Sequence, residues 1–371
     1  MTPARSRPLL YNLSVRSGAI TFVLSLLAVL RLSGSAQPTS IPNTGFDSNL
    51  RGVSISRARG KLVVWVCGSK GTILRSLDQG KSWTKFEIDG GSDLDFRDIK
   101  AFGRNSAYAM SSGDGEKSRI YKTTDGGMSW ALQYTDRRPG FFLDSLACDS
   151  STRCLALSDP VAGKFLVLAT SDGQHWKEMP GQGMPAALPA EGAFAASGTS
   201  LRLCNHDVYF GTGGPAARVF HSANHGDSWT AVETPVAHGG ASTGIFSLDC
   251  SGGHVVAVGG DYKHPDRAEA VAAYSSDRGK TWHLAEQQPG GYRSAVRLAS
   301  RTAIAVGSNG EDASFNYGAS WKKTGMLDLN AVALTPHGLA WAVGPKGVFE
   351  HFQLRDLFHH HHPQEDGIGR P

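Results

Sequence analysis

The sequence predicts an all-β fold, a seven-bladed β-propeller with four-stranded antiparallel blades. Three observations point to it. An eight-residue box, Ser76-Leu77-Asp78-Gln79-Gly80-Lys81-Ser82-Trp83, returns in near-copies at 123–130 and 275–282 and more weakly at 222–229, at 314–321 and, one residue shorter, at 170–176. The tryptophans that close the boxes, Trp83, Trp130, Trp176, Trp229, Trp282 and Trp321, recur roughly every 40–50 residues, the period of a propeller blade. Between boxes, short β-rich runs alternate with Gly and Asp turns.

Residues 1–36 read as a secretory signal, with Arg5, Arg7 and Arg16 before the apolar run Ala19 to Leu30, then small Gly34-Ser35-Ala36 before a cut. The apolar run is too short for the roughly 20 residues of a bilayer-spanning helix, and no later stretch offers a span. The segment also locates the charge. The chain carries 37 Lys plus Arg against 33 Asp plus Glu, an excess of +4, and four arginines without an acid lie within 1–36. The mature chain is therefore neutral, which excludes a global field for nucleic acid and leaves room only for local patches.

The first repeat shows the grammar of a blade: 51–55, 63–66 and 71–75 as strands, then the box, then a fourth strand from Trp83 to Phe86. Within a box, Asp or Asn accepts backbone amides ahead of it, Gly supplies a positive φ and Trp covers the hairpin. Asp78, Asp125, Asp172, Asn224, Asp277 and Asn316 are thus structural, since a single active site would not recur six times. After Trp321 three more strands follow without a box, at 329–334, 340–344 and 347–352. The chain beyond residue 36 divides into seven blades of about 48 residues. Residues 40–46 are placed to add the last blade's fourth strand and close the ring. Six blades is the alternative. The propeller then occupies 37–354, and 355–371, with His359 to His362, reads as a disordered tail.

Five cysteines suit an oxidising compartment. Cys148 and Cys154 flank a polar turn between apolar runs and form one candidate pair. Cys204 and Cys250, at similar points of successive repeats, form another, and Cys67 is left as a buried thiol. No Cys-x-x-Cys occurs, and neither a metal nor a cofactor is expected.

In a propeller, the starts of the inner strands share a face with the loops between second and third strands, and the boxes lie opposite. Blade by blade, the inner-strand starts read Arg51, Arg97, Asp144, Glu191, a position near Phe246, Arg293 and Asn330. Three arginines and two carboxylates would ring the central opening, with Asp159, Asp261 and Tyr262 on the adjoining loops. Mutual salt bridges across a water-filled channel are the alternative to a ligand role. Gly211-Thr212-Gly213-Gly214 is flanked by strands, so it reads as a tight hairpin and not as a phosphate loop.

The segment from Gly71 to Trp83 and the Trp341-Ala342-Val343-Gly344 run resemble the propeller family of photosystem II stability and assembly factors and its non-photosynthetic bacterial relatives. The resemblance covers essentially the whole mature chain. It implies an exported scaffold that binds a partner protein through an Arg-containing face, for which Arg51, Arg97 and Arg293 could serve by pairing with carboxylates, and a monomer is expected. The alternative is a sialidase-like glycoside hydrolase acting on a carbohydrate, because sialidases also carry such boxes and grip a sugar carboxylate with three arginines. Tyr262 or Tyr292 beside Glu191 would then be nucleophile and base, or Asp144 with Asp159 or Glu191 a carboxylate pair about 5 Å apart. Phe96-Arg97-Asp98-Ile99 departs from the Phe-Arg-Ile-Pro-like segment of sialidases. No dinucleotide fingerprint supports an oxidoreductase.

Overall fold

Alternating apolar and polar residues, punctuated by tight turns, build seven antiparallel sheets in the computed structural model, which describes residues 41–359. The signal expected at 1–36 and residues 360–371 of the expected tail lie outside the described residues. Blade 1 runs from its inner strand Leu50–Ala58 through Lys61–Gly68 and Thr72–Ser76 to the outer Thr84–Phe86. The inner strands of blades 2 to 7 are Asp95–Phe102, Leu143–Cys148, Leu201–Cys204, Gly240–Ser251, Ala295–Ala299 and Ala331–Leu334. The chain is a seven-bladed propeller.

Blade 7 contributes three strands of its own. Its outer edge is met by the start of the described chain: Asn43 bridges Val348, Thr44 N–H donates to Gly347 O at 2.9 Å, and Phe349 N–H donates to Pro42 O at 3.1 Å. Residues 42–44 thus supply the closure expected around 40–46. Asp356–His359 follows the last strand as one helical turn.

In six blades the inner strand is a sheet edge, while in blade 5 it is paired by Gly213–Gly214 of blade 4. Unpaired main-chain groups there are costly, and side chains satisfy them from blade to blade. Ala101 N–H donates to Ser54 Oγ at 3.0 Å, Leu146 N–H to Asp98 Oδ2 at 2.9 Å and Leu201 N–H to Ser145 Oγ at 3.2 Å. Val296 N–H donates to Ser247 Oγ and Leu298 N–H to Asp249 Oδ2, both at 2.9 Å. Ser294 Oγ–H donates to Asn330 O at 2.7 Å, and Asn330 Nδ2 donates to Leu50 O at 2.8 Å across the closing seam.

Apolar packing follows the same seams: the described core is seven clusters, each shared by two neighbouring blades. The box tryptophans contribute to it. Trp83 reaches back to blade 7, edge-on to Trp341 at 6.4 Å and Phe349 at 5.5 Å, and Trp130 meets Trp65 of blade 1 at 6.1 Å. Gly80 holds φ +82, and a Cβ there would sit 2.8 Å from Phe349, so this turn cannot accept a larger residue. In each box the acid or amide holds the hairpin. Asp78 accepts from Ser82 N–H at 2.9 Å and Ser82 Oγ at 2.6 Å, bonds that lower its carboxyl to about 2, and Asn224 accepts from Ser228 N–H in the same way.

Cys148 is bonded to Cys154 within the inner hairpin of blade 3, and Cys204 to Cys250 between the inner strands of blades 4 and 5. Cys67 is a free, buried thiol, pushed up in pKa by its burial.

Ser247 carries two of these seam bonds, accepting from Val296 N–H and from Thr199 Oγ1 at 2.7 Å in a fully buried site. Replacing it with Ala strands a buried amide, so Ser247→Ala is expected to cost about 1–3 kcal/mol of unfolding free energy. Guanidinium denaturation measures it, and a loss below about 0.5 kcal/mol would mean the seam bond carries no net weight.

Candidate functional site

The alternation of a strand places Asp95 and Arg97 on one face of the second inner strand, beside Arg51 at the start of the first. Arg97 Nε meets Asp95 Oδ2 at 2.7 Å, while Arg51 Nε stays 4.0 Å from the other oxygen and has no hydrogen-bond partner. Both guanidinium groups are partly open to solvent. Burial holds Arg51 below the usual guanidinium range, Arg97 adds to the effect and Asp95 opposes it.

A segment that sequence reading placed poorly closes the opening. The inner strand of blade 4 starts at Leu201, ten residues beyond Glu191, so Glu191 is not the start of that strand. Residues 192–200 instead cross the channel. Ala193 N–H donates to Asp159 Oδ1 of blade 3 at 2.8 Å, and Ala195 O accepts from Arg97 Nη1 of blade 2 at 2.7 Å. Ser197 Oγ–H donates to Ser294 O of blade 6 at 2.8 Å, and Leu248 N–H of blade 5 donates to Thr199 O at 3.2 Å. Gly198 packs on Asp98 so closely that a Cβ would lie 2.2 Å from its carboxyl carbon, and its φ is +65. The channel is plugged by main chain.

Glu191 itself is buried and spent: it pairs with Arg218, accepts Thr212 Oγ1 at 2.6 Å and accepts Leu188 N–H at 2.8 Å. Arg293 does not face the opening either. It is fully buried, paired with Asp312, and donates to Tyr292 O at 2.7 Å and Asn309 Oδ1 at 2.6 Å. Asp261 is tied to His264 Nδ1 at 2.7 Å. The expected ring of three arginines is thus a pair, Arg51 and Arg97.

Beside the plug an aromatic wall forms. Phe194 stacks on Phe246 with centroids 3.8 Å apart, and Tyr292 and the half-exposed Tyr262 meet Phe246 edge-on at 4.8 and 6.0 Å. Burial pushes the Tyr292 phenol up, an effect Arg51 and Arg97 partly offset. Asp144 is fully buried, and neither of its oxygens has a hydrogen-bond partner. The nearby Asp159 N–H is committed to Phe142 O at 2.9 Å. Burial, then Asp159, drives Asp144 well above the carboxylate range, and Arg97 offsets part of this. Asp159 is raised by burial to about 6 against the pull of Ala193 N–H.

Beneath the plug lies a second charged set that sequence reading did not single out. Lys100 Nζ pairs with Asp98 at 2.5 Å and Arg202 with Asp249 at 2.6 Å. Arg297 is lowered to about 10 by burial and then by Arg202. Lys100, Arg202, Asp249 and Arg297 line a cavity of about 190 Å³. The i, i+2 pair Asp98 and Lys100 on one inner strand was the available signal. Among the described residues no group of three or more His, Cys, Asp or Glu could hold a metal ion.

Comparison with known proteins places this geometry. Residues 43–182 match the family model of the Photosynthesis system II assembly factor YCF48, and residues 273–284 match the BNR/Asp-box repeat. The Photosystem II assembly lipoprotein Ycf48 of Synechococcus sp. (strain CC9902) is 33% identical over 72 residues, which is 19% of this chain and 20% of that protein. The match therefore spans only about a fifth of that relative's length. Among solved structures, YCF48 bound to D1 peptide superposes with a TM-score of 0.59 at 13% identity, over 84% of this chain and 95% of that one. YCF48 from Cyanidioschyzon merolae gives 0.59 at 13% identity over 85% and 98%. The WD40 propeller domain of Doa1 gives 0.57 at 11% identity over 85% and 96%. At these identities the structural likeness shows the fold. The chain resembles the seven-bladed Asp-box propellers of the photosystem II assembly-factor family.

Because Asp159 has a raised pKa in the folded chain, folding favours its protonated form. Its stabilising contribution is complete below the ordinary carboxylate value and is lost as pH rises to about 6. Asp159→Asn keeps the oxygen that accepts Ala193 N–H and removes the titration. The variant is expected to gain on the parent from about pH 4 to pH 6, by up to about 3 kcal/mol, and then to hold a constant lead. Urea midpoints across that range test it, and parallel pH profiles would refute it.

Proposed function

We propose that this chain is a protein-binding assembly scaffold, exported to an oxidising compartment, whose Arg51/Arg97 mouth receives an acidic segment of a partner protein. The observation that carries the reading is an imbalance: two partly exposed guanidinium groups share one carboxylate, Asp95, and Arg51 Nε is left unpartnered. Arginine presents a planar fork suited to carboxylates, and the half-exposed Tyr262, backed by the buried Phe246, adds apolar surface for a peptide. The plug of residues 192–200 gives the mouth a fixed floor, so an incoming segment meets a preorganised surface. A YCF48 structure of the same fold holds a D1 peptide, which supports a protein segment as the ligand. The lipoprotein character of the Synechococcus relative and the two disulfides support export.

A glycosidase needs an acid and a nucleophile open to a sugar. Glu191 is held by Arg218, Thr212 and Leu188, and Asp144 is closed to solvent. These placements support binding over chemistry.

Arg51→Glu/Arg97→Glu is expected to weaken partner capture by at least about tenfold, since reversal replaces attraction with repulsion. Affinity pull-down with quantitative mass spectrometry measures it, and a capture profile identical to the parent's would overturn the site. Export has its own check. N-terminal sequencing of protein recovered outside the cytoplasm should start near about residue 37, and an intact Met1 chain retained in the cytoplasm would refute it.

A further inference from the structure

The box-bearing face, opposite the Arg51/Arg97 mouth, carries a separate cationic surface. The turn between the first two strands of blade 1 reads Arg57-Ala58-Arg59-Gly60-Lys61. A groove of about 810 Å³ lies between this turn and the matching turn and box of blade 2. Arg59, Lys61 and Arg104 are exposed along it and belong to none of the ion pairs among the described residues. Arg75 lies at its floor, with the guanidinium 5.2 Å from the Trp65 ring centre and 4.9 Å from that of Phe86, and Nη1 donates to Gly126 O at 2.7 Å. Leu77 and the 85% exposed Met128 line the same groove.

The carboxylate in this lining is Asp125, whose oxygens are occupied by Ser129 N–H at 3.0 Å, Ser129 Oγ at 2.5 Å and Thr123 Oγ1 at 2.8 Å. Four cations therefore face one committed acid in a chain that is neutral beyond residue 36. Like charges so placed repel unless an anion joins them. Concavity decides what kind of anion fits. Cations on the walls of a groove converge on an extended chain, whereas a flat anionic bilayer would touch only the rims.

We propose that this groove is a second docking site, for an acidic segment of a partner protein that offers carboxylates to Arg59, Lys61 and Arg104 and an apolar side chain to Leu77 and Met128. It stands apart from the mouth and does not depend on it.

The test uses the full chain carrying Arg51→Ala/Arg97→Ala, so that the mouth cannot supply the signal. Fluorescence anisotropy follows a labelled peptide of alternating Glu and Leu at physiological salt. Binding is expected, weakened at least about tenfold by Arg59→Glu/Lys61→Glu/Arg104→Glu and also reduced by Met128→Ser. The Arg59→Gln/Lys61→Gln/Arg104→Gln chain, which removes charge without reversing it, should fall between parent and reversal. No binding, or binding unchanged by both triple variants, overturns the proposal. So does attachment of phosphatidylserine vesicles through these residues without any peptide binding, which would make the face a lipid contact.

Discussion

The inner edge of each blade is the constraint on which the molecule turns. Seven sheets arranged around an axis leave six inner strands as open edges, and the seventh, in blade 5, is met by the short strand Gly213–Gly214. Short side chains, Ser54, Asp98, Ser145, Ser247 and Asp249, accept the amides of the next blade instead. These groups are buried, so each bond left unmade would carry a desolvation cost. The apolar seams then lie between blades and not within them, and every cluster depends on the register its neighbour sets. Blade 1 depends in the same way on blade 7, through Asn330 and the strand-end pairing of residues 42–44.

Filling the centre follows from the same demand. The connection into blade 4 is longer than the others, and residues 192–200 use it to cross the channel, where Arg97 and Asp159 bind their main chain and Ser197 Oγ–H donates to Ser294 O. The crossing separates the polar interior into two levels. Above it are Arg51, Asp95, Arg97 and the aromatic wall. Below it Asp98 pairs with Lys100 and Asp249 with Arg202, both acids also hold seam amides, and Arg297 belongs to none of the ion pairs among the described residues. A charge set that would read as a continuous ring along the inner strands is thereby divided into two levels.

The two faces differ in how their cations are held. At the mouth, Arg97 is fixed by Asp95 and by Ala195 O, so the site is stiff and small. On the box face, Arg59 and Arg104 lie in turns and Lys61 opens the second strand, all exposed along the groove, with only Arg75 pinned between Trp65 and Phe86. Beyond residue 36 the chain carries no net formal charge, so its basic character is confined to local surfaces such as these two on opposite faces.

Much of this was legible in the residues. The boxes and their tryptophans determine the blade, because Asp or Asn, Gly and Trp at fixed spacing define a local hairpin that needs no distant partner. Seven blades follow from counting those units and the boxless seventh. The positions of Arg51 and Arg97 at inner-strand starts were legible from the strand pattern. Glu191 and Arg293 were not, because their roles are set by Arg218 and Asp312, residues 27 and 19 positions away on third strands. The crossing of residues 192–200 has no periodic pattern, since its bonds are made by main chain to three other blades. Local sequence determined the repeating unit, whose interactions close within about a dozen residues. Only the tertiary structure decided which charges stay free, because a charge is released or spent by neighbours that folding brings from elsewhere.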